Sequence, residues 1–187
     1  VIVTPPAPVA KKIIRRIGPG ASSFLSTVKY GQFTVVVVGF KDVNFTKFSY
    51  LVPVDLLCTG VVLRHFEDKK VTVLMLYYGD KESRQQSHEP EATVIGRAVD
   101  IIHKLNIGRF SQDNILFTDI KRWEHGGTII EPPLFKDDPS GNYARPSRRV
   151  FLAGDYVYRD NFFPYGMIPA VLSGQITARK VQKMFNE

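Results

Sequence analysis

The stretch that most constrains this chain is Arg149-Val150-Phe151-Leu152-Ala153-Gly154-Asp155, an apolar run that halts at Gly-Asp. An apolar run of this length, closed by a turn pair, predicts a buried strand. Asn161-Phe162-Phe163-Pro164-Tyr165-Gly166-Met167-Ile168-Pro169 follows, and after Pro169 the period changes. Ala170, Val171, Gly174, Thr177, Ala178 and Val181 recur at helical spacing, and Phe185 extends the stripe. Pro169 fits the first helical turn, where a missing N–H costs nothing. Arg179, Lys180 and Lys183 fall near the helix end, where positive charge is favoured. The order is therefore strand, Gly-Asp, loop, helix start. An acid at a strand end, facing open N–H groups at a helix start, suits a hydroxylated and phosphorylated ligand.

Two blocks carry a family likeness: Val150-Phe151-Leu152-Ala153-Gly154-Asp155, and Met167-Ile168-Pro169-Ala170-Val171-Leu172-Ser173-Gly174 with Ala178 behind it. Together they resemble the C-terminal flavin-binding segment of the flavin-containing amine oxidases and their phytoene-desaturase-like relatives. The resemblance implies FAD as cofactor, with Asp155 on its ribityl part. It also implies that the loop and first helical turn pass beside the isoalloxazine ring. The cofactor-binding residues so implied are Gly154, Asp155, Met167, Ile168 and Ala170. Pro169 stands where the family usually has Gly, which bears on how closely the backbone approaches the flavin.

The rest of the chain reads as alternating β-rich runs and one strong amphipathic helix. Val1-Ile2-Val3-Thr4 predicts a short strand that ends at Pro5-Pro6. Pro8 opens a predicted helix through Val9, Ile13, Ile14 and Ile17, with Gly18-Pro19-Gly20 as its stop. In the resembled family, a strand ending in Thr-Pro-Pro marks where the chain leaves the FAD domain for the second time. Phe24 to Tyr30 is polar and aromatic, with no helix pattern after Gly18-Pro19-Gly20. Phe33–Phe40 is nearly continuous β-formers and predicts a buried strand. Phe45, Phe48, Tyr50 and Leu51 form either the lining of a ligand cavity or, as such aromatics more often do, core. Cys58–Leu63 and Val71–Tyr78 bracket the charged turn Glu67-Asp68-Lys69-Lys70 as an antiparallel pair. Lys81–Pro90 is polar, a loop or the approach to a helix. From Glu91 to about Leu105, Val94, Ile95, Ala98, Ile101, Ile102 and Leu105 give one apolar face. Ile115–Ile120 is a further strand candidate, followed by Trp123, and Phe135–Ser147 is a loop that leads back to Arg148.

The expected fold class is α+β: a mixed or antiparallel sheet with packed helices. The resemblance identifies this body as the substrate domain of a flavin oxidoreductase. Terminal strand and helix segments then belong to an incomplete FAD-binding α/β domain. The expected divisions are 1–23, the exit strand and helix; 24–135, the substrate-domain-like body; and 136–187, the return loop, flavin-type strand and C-terminal helix. The Gly-x-Gly-x-x-Gly fingerprint that holds the pyrophosphate in this family does not occur in the sequence. The expectation is thus the C-terminal part of an FAD-dependent oxidoreductase, inactive without its N-terminal nucleotide-binding half. That half is either in cis, with this chain a fragment, or a second chain. The alternative is a non-catalytic binding or assembly module on a degenerate flavin scaffold. A third, an unrelated basic α/β domain, also stays open.

Catalytic residues are not legible. Many members of the family place a Lys near the flavin, and the matching stretch Phe33-Thr34-Val35-Val36 has none; Lys29 lies earlier. Oxidase, desaturase and isomerase chemistry therefore stay equally open, and the substrate is unknown. Asp119 and His125 are near one another without a nucleophile motif such as GxSxG. The four histidines are dispersed and the only cysteine is Cys58, so no metal site and no internal disulfide are expected. A formal net charge of +7 suits an anionic partner. The basic residues are scattered, however, which makes nucleic acid an unfavoured partner. No apolar run reaches membrane-spanning length and no leader pattern is visible, so a cytoplasmic location is favoured.

Overall fold

The computed structural model describes residues 1–14, 18–129, 145–147, 149–157 and 166–186. The Pro132-Pro133 segment, most of the return loop before Arg148 and the segment Asn161–Tyr165 lie outside the described residues. The chain forms two compact units: Val1–Tyr30 with Gly127–Glu187, and Gly31–Gly126.

The second unit is built on a five-stranded sheet. Its strands are β2 (Lys29–Lys41), β3 (Tyr50–Leu51), β4 (Gly60–Phe66), β5 (Val71–Tyr78) and β6 (Ile115–Ile129), in the order β3-β4-β5-β2-β6. β5 is the centre. It pairs antiparallel with β2 from Thr34↔Tyr78 to Lys41↔Val71, and with β4 from Gly60↔Tyr77 to Phe66↔Val71. The β4–β5 hairpin closes through a 3-10 turn, Glu67–Lys69, with Lys70 in the left-handed region at φ 49°. The sequence locates both this turn and β5. Gly39 lies under the Phe117 ring and Gly126 against Phe33, so β6 runs opposite to β2 and both ends of the unit's chain meet on neighbouring strands.

Strict alternation explains why β5 is legible: Thr72, Leu74, Leu76 and Tyr78 are buried and their neighbours are half-buried. The helix α4 (Glu91–Leu105) buries Val94, Ala98, Ile101 and Ile102 against that face, as its spacing predicts. Between β5 and α4 lies a short helix, α3 (Asp80–Gln85), in the polar segment read as a loop or helix approach. Its Ser83 hydroxyl lies 2.6 Å from that of Thr34 on β2, both buried. Phe45 packs edge-on to Phe40 at 5.0 Å, and Phe110 does the same at 4.7 Å. Of the two readings of the aromatic cluster, core is therefore correct for Phe45, and Phe48 also packs on the core. β6 extends well past the predicted Ile120, to Ile129.

The first unit pairs β1 (Ile2–Val3) with β7 (Phe151–Leu152) in parallel. The amides of Phe151 and Ala153 donate to the carbonyls of Val1 and Val3 at 2.9 and 3.1 Å. α1 (Ala7–Ile13) starts with Pro8 in its first turn as expected but ends before Ile14, which is extended. Gly18-Pro19-Gly20 is not a stop followed by irregular chain. Pro19 opens α2 (Pro19–Thr27), whose Ala21, Phe24 and Leu25 are buried. The error has a clear cause, because the residue that cannot continue a helix is favoured in the first turn of one. α5 (Met167–Asn186) is the C-terminal helix. Its buried face coincides with the predicted stripe only in part: Thr177 is buried and Ala170, Gly174 and Val181 are half-buried. Pro169, Ser173 and Thr177 are buried, while Val171 and Phe185 are exposed. The chain is thus α+β, with an antiparallel sheet and packed helices.

Candidate functional site

The site residues proposed from sequence all lie in the first unit, and two hydroxyls on α5 bring them together. Thr177 Oγ1 donates to the carbonyl of Leu152 at 3.1 Å, and the amide of Gly154 donates to Ser173 Oγ at 2.8 Å. Ser173 Oγ in turn donates to the carbonyl of Ala170 at 2.8 Å. Spaced four residues apart, Ser173 and Thr177 share one helix face. They replace the strand partner that the end of β7 lacks among the described residues. The α5 start therefore sits at the same strand end as Gly154 and Asp155. Ser173 is about 9 Å along the axis from Met167 at 1.5 Å per residue.

Gly154 has φ 151°, and a Cβ there would meet the Tyr156 ring at 2.8 Å. The turn thus needs glycine both for conformation and for space. Tyr156 is buried beneath it and donates to the carbonyl of Pro5 at 3.2 Å. Tyr30 Oη accepts from the amide of Ala7 at 2.9 Å. These two phenols anchor the Thr-Pro-Pro connection between β1 and α1. Burial pushes the Tyr30 hydroxyl up to about 12, so it stays a neutral phenol at all ordinary pH.

Asp155 is half-buried, and its carboxylate accepts from Thr128 Oγ1 at 3.3 Å. Burial raises its carboxyl above the ordinary value. Hydrogen bonds from the Thr128 side chain and from the backbone N–H groups of Asp155, Thr128 and Tyr156 oppose that rise. The Thr128 contact is long for an O–H···O bond, whose usual separation is about 2.7–2.8 Å. It is therefore the contact a ligand hydroxyl can most readily replace.

The sign of the shift sets a pH dependence. A carboxyl that holds its proton more tightly when folded contributes stability below its unfolded value. That contribution is lost as pH rises through the folded value. Denaturant unfolding of the first unit is expected to become easier as pH climbs above the ordinary carboxyl value of 3.8. Asp155→Asn, neutral throughout, should flatten that slope. Unfolding curves at stepped pH measure the difference between the two proteins, and parallel slopes would refute it.

At the helix start, Pro169 has no N–H and Ala170 donates to the carbonyl of Gly166 at 3.3 Å. The amides of Met167 and Ile168 are left as those without an intrahelical acceptor. Their side chains are exposed, Met167 to 84%. Together the turn and helix start offer one acceptor, two donors and an apolar patch. Sequence reasoning missed Thr128 and Ser173. The i, i+4 pairing of Ser173 with Thr177 was the available signal for one. Nothing local marks Thr128.

The resembled family's Lys position gives no further group: Thr34 is buried against Ser83 and Lys29 is exposed. Among the described residues no His, Cys, Asp and Glu cluster could hold a metal ion, and no helix is long and apolar enough to cross a membrane.

The family model described as flavin containing amine oxidoreductase matches residues 1–182. No curated protein sequence matches significantly. Among solved structures, the cyclohexylamine oxidase of Brevibacterium oxydans IH-35A superposes with a TM-score of 0.75 at 13% identity, over 100% of this chain and 43% of that one. A protein from Exiguobacterium sp. 255-15, named provisionally as a protoporphyrinogen oxidase, superposes with a TM-score of 0.70 at 14% identity, over 98% of this chain and 41% of that one. At such identities the likeness is one of fold. The chain spans less than half the length of either.

Proposed function

Since the chain belongs to the flavin containing amine oxidoreductase family, we propose that it is the C-terminal part of an FAD-dependent oxidoreductase. In this reading residues 24–135 are the substrate-domain-like body. Residues 1–23 and 136–187 complete an FAD-binding domain whose nucleotide-binding half lies in cis or on a second chain. Activity then requires that half. The observation that carries the reading is the Gly154-Asp155 turn, held against the start of α5 by Ser173 within a chain matched along residues 1–182.

The residues present fit the ribityl side of FAD. Asp155 accepts from a ribityl hydroxyl, which takes the place of Thr128 Oγ1. Gly154, held at φ 151° with no side chain, leaves room for close approach. The Met167 and Ile168 amides point from the helix start, where negative charge is favoured. The exposed side chains of Met167, Ile168 and Val171 supply apolar cover, with Ala170 beside them. FAD, when bound, supplies the two-electron redox step. Because Phe33-Thr34-Val35-Val36 offers no Lys, the proposal is an oxidoreductase in general and not amine oxidation in particular.

The test is a flavin titration of the protein joined to its nucleotide-binding half, followed by fluorescence quenching. Asp155→Ala removes charge-assisted bonds each worth about 1.5–3 kcal/mol, so affinity should fall roughly tenfold to a hundredfold with the fold intact. Equal affinities with matching circular dichroism would reject the role of Asp155. A second reading, a non-catalytic module on a degenerate flavin scaffold, draws on Pro169 in place of the family's Gly. Failure of the joined protein to take up FAD at all would favour it.

A further inference from the structure

The second unit carries a cleft that the flavin reading does not use. It measures about 290 Å³ and opens between the end of β5, α3 and one face of α4. At about 30 Å³ per water in the liquid, that is room for a molecule of roughly ten non-hydrogen atoms. Two of the side chains that line it are unusual. Tyr78 is 3% exposed and Gln86 5%, and both line the cleft. Neither Tyr78 Oη nor Gln86 Nε2 has a hydrogen-bond partner among the described residues. Buried polar groups are nearly always paired, because leaving water without a replacement partner is costly. Two such groups on residues that line one cleft point to ligand acceptor atoms that meet them.

The chemistry of those atoms follows from the donors. Gln86 Nε2 can only donate, and burial keeps the Tyr78 phenol protonated and so able to donate. The Arg97 guanidinium opposes the rise in the Tyr78 pKa that burial causes, which marks positive potential beside the phenol, where a negative group is favoured. These two groups therefore call for acceptor oxygens, best those of a carboxylate. Ile101 and Leu56 add hydrocarbon to the lining. The rest of the lining has the opposite character. Glu89 is neutralised by its ion pair with Arg97. Asp55, Glu82 and Asp100 remain, against Lys104. An excess of carboxylates favours a cation there.

We infer that this cleft binds a small ω-amino carboxylate, its carboxylate oxygens on Tyr78 Oη and Gln86 Nε2 and its ammonium among Glu82, Asp55 and Asp100. Arg97, Asp100, Ile101 and Lys104 fall at i, i+3, i+4 and i+7 of α4. One helix face therefore presents both the apolar wall and the charged rim. The site lies wholly in the second unit and needs no flavin, so its test stands whichever way the flavin titration falls.

The probes are the straight-chain ω-amino acids from 3-aminopropanoate to 6-aminohexanoate, with hexanoate and hexylamine as controls. Binding is followed in the whole chain by NMR, through the Gln86 side-chain amide and the Arg97 guanidinium signals. One chain length is expected to bind best and to shift both. Hexanoate and hexylamine should each bind about tenfold more weakly, having lost one end. Tyr78→Phe keeps the ring and removes only the unpaired hydroxyl, so it should fold and weaken the best probe about tenfold. Gln86→Met should do the same. Asp100→Asn should weaken it less, with an effect that shrinks at high salt. Three results would each overturn the site: no shift of the Gln86 amide at millimolar probe, equal binding by Tyr78→Phe, or a crystal structure in which bridging waters alone satisfy Tyr78 and Gln86 at saturating probe.

Discussion

Replacing Tyr156 by Ala is expected to destabilise the first unit by about 3–5 kcal/mol. Tyr156 is 1% exposed and one of the largest fully buried side chains. It packs with Val3, Ala7, Ala10, Phe24, Leu25 and Leu152, so its removal leaves a cavity ringed by residues from four elements. It also strips the donor from the carbonyl of Pro5. Tyr156→Phe separates the two effects. It keeps the ring and should cost only about 1 kcal/mol. Hydrogen exchange of the Phe151 and Ala153 amides, which tie β7 to β1, reads the loss locally. Unchanged protection of both in Tyr156→Ala would show that the ring does not hold this unit together.

A loss of similar size is expected for Leu74→Ala in the second unit, about 2.7–5 kcal/mol. Leu74 is fully buried at the centre of β5, opposite Val38 on β2 and Leu63 on β4. It shares a core with Val94, Ala98 and Ile102 of α4. A small residue there opens a void that two strands and a helix cannot all close at once. Urea unfolding with the β5 amides followed by exchange is the measurement. A midpoint within experimental error of the parent would refute the central placement of β5.

These two residues differ in how far the sequence announces them. β5 and α4 could be drawn to the residue, because each has one buried face and so a clean period in its side chains. β6 could not be. It is an edge strand whose residues are mostly exposed on both faces, so it has no alternation to read beyond Ile120. α5 misled in a subtler way. Its apolar residues are periodic, yet the face it buries carries the hydroxyls of Ser173 and Thr177. Those hydroxyls must satisfy the backbone polar groups at the end of a short strand. The candidate site divides likewise. Gly154 and Asp155 are contiguous and end an apolar run, whereas Thr128 comes from the far end of β6 and meets Asp155 only through folding. Tyr156 stands beside the motif without a signal in the sequence, because one aromatic after a turn carries no period of its own.

The meeting of the second unit's two chain ends has a consequence for how such proteins change over time. Gly126 lies against Phe33, so the body between them enters and leaves through adjacent strands. To the polypeptide outside it, the whole segment is equivalent to a tight turn. Closure entropy grows only slowly with the length enclosed, and a folded segment with neighbouring ends adds less than a floppy one of equal length. The segment can therefore be lengthened, reshaped or exchanged for another with matching end strands, while Gly154, Asp155 and α5 keep their places. Selection on the inserted body and selection on the turn that it interrupts become separable, and a lineage can reshape the one without rebuilding the other.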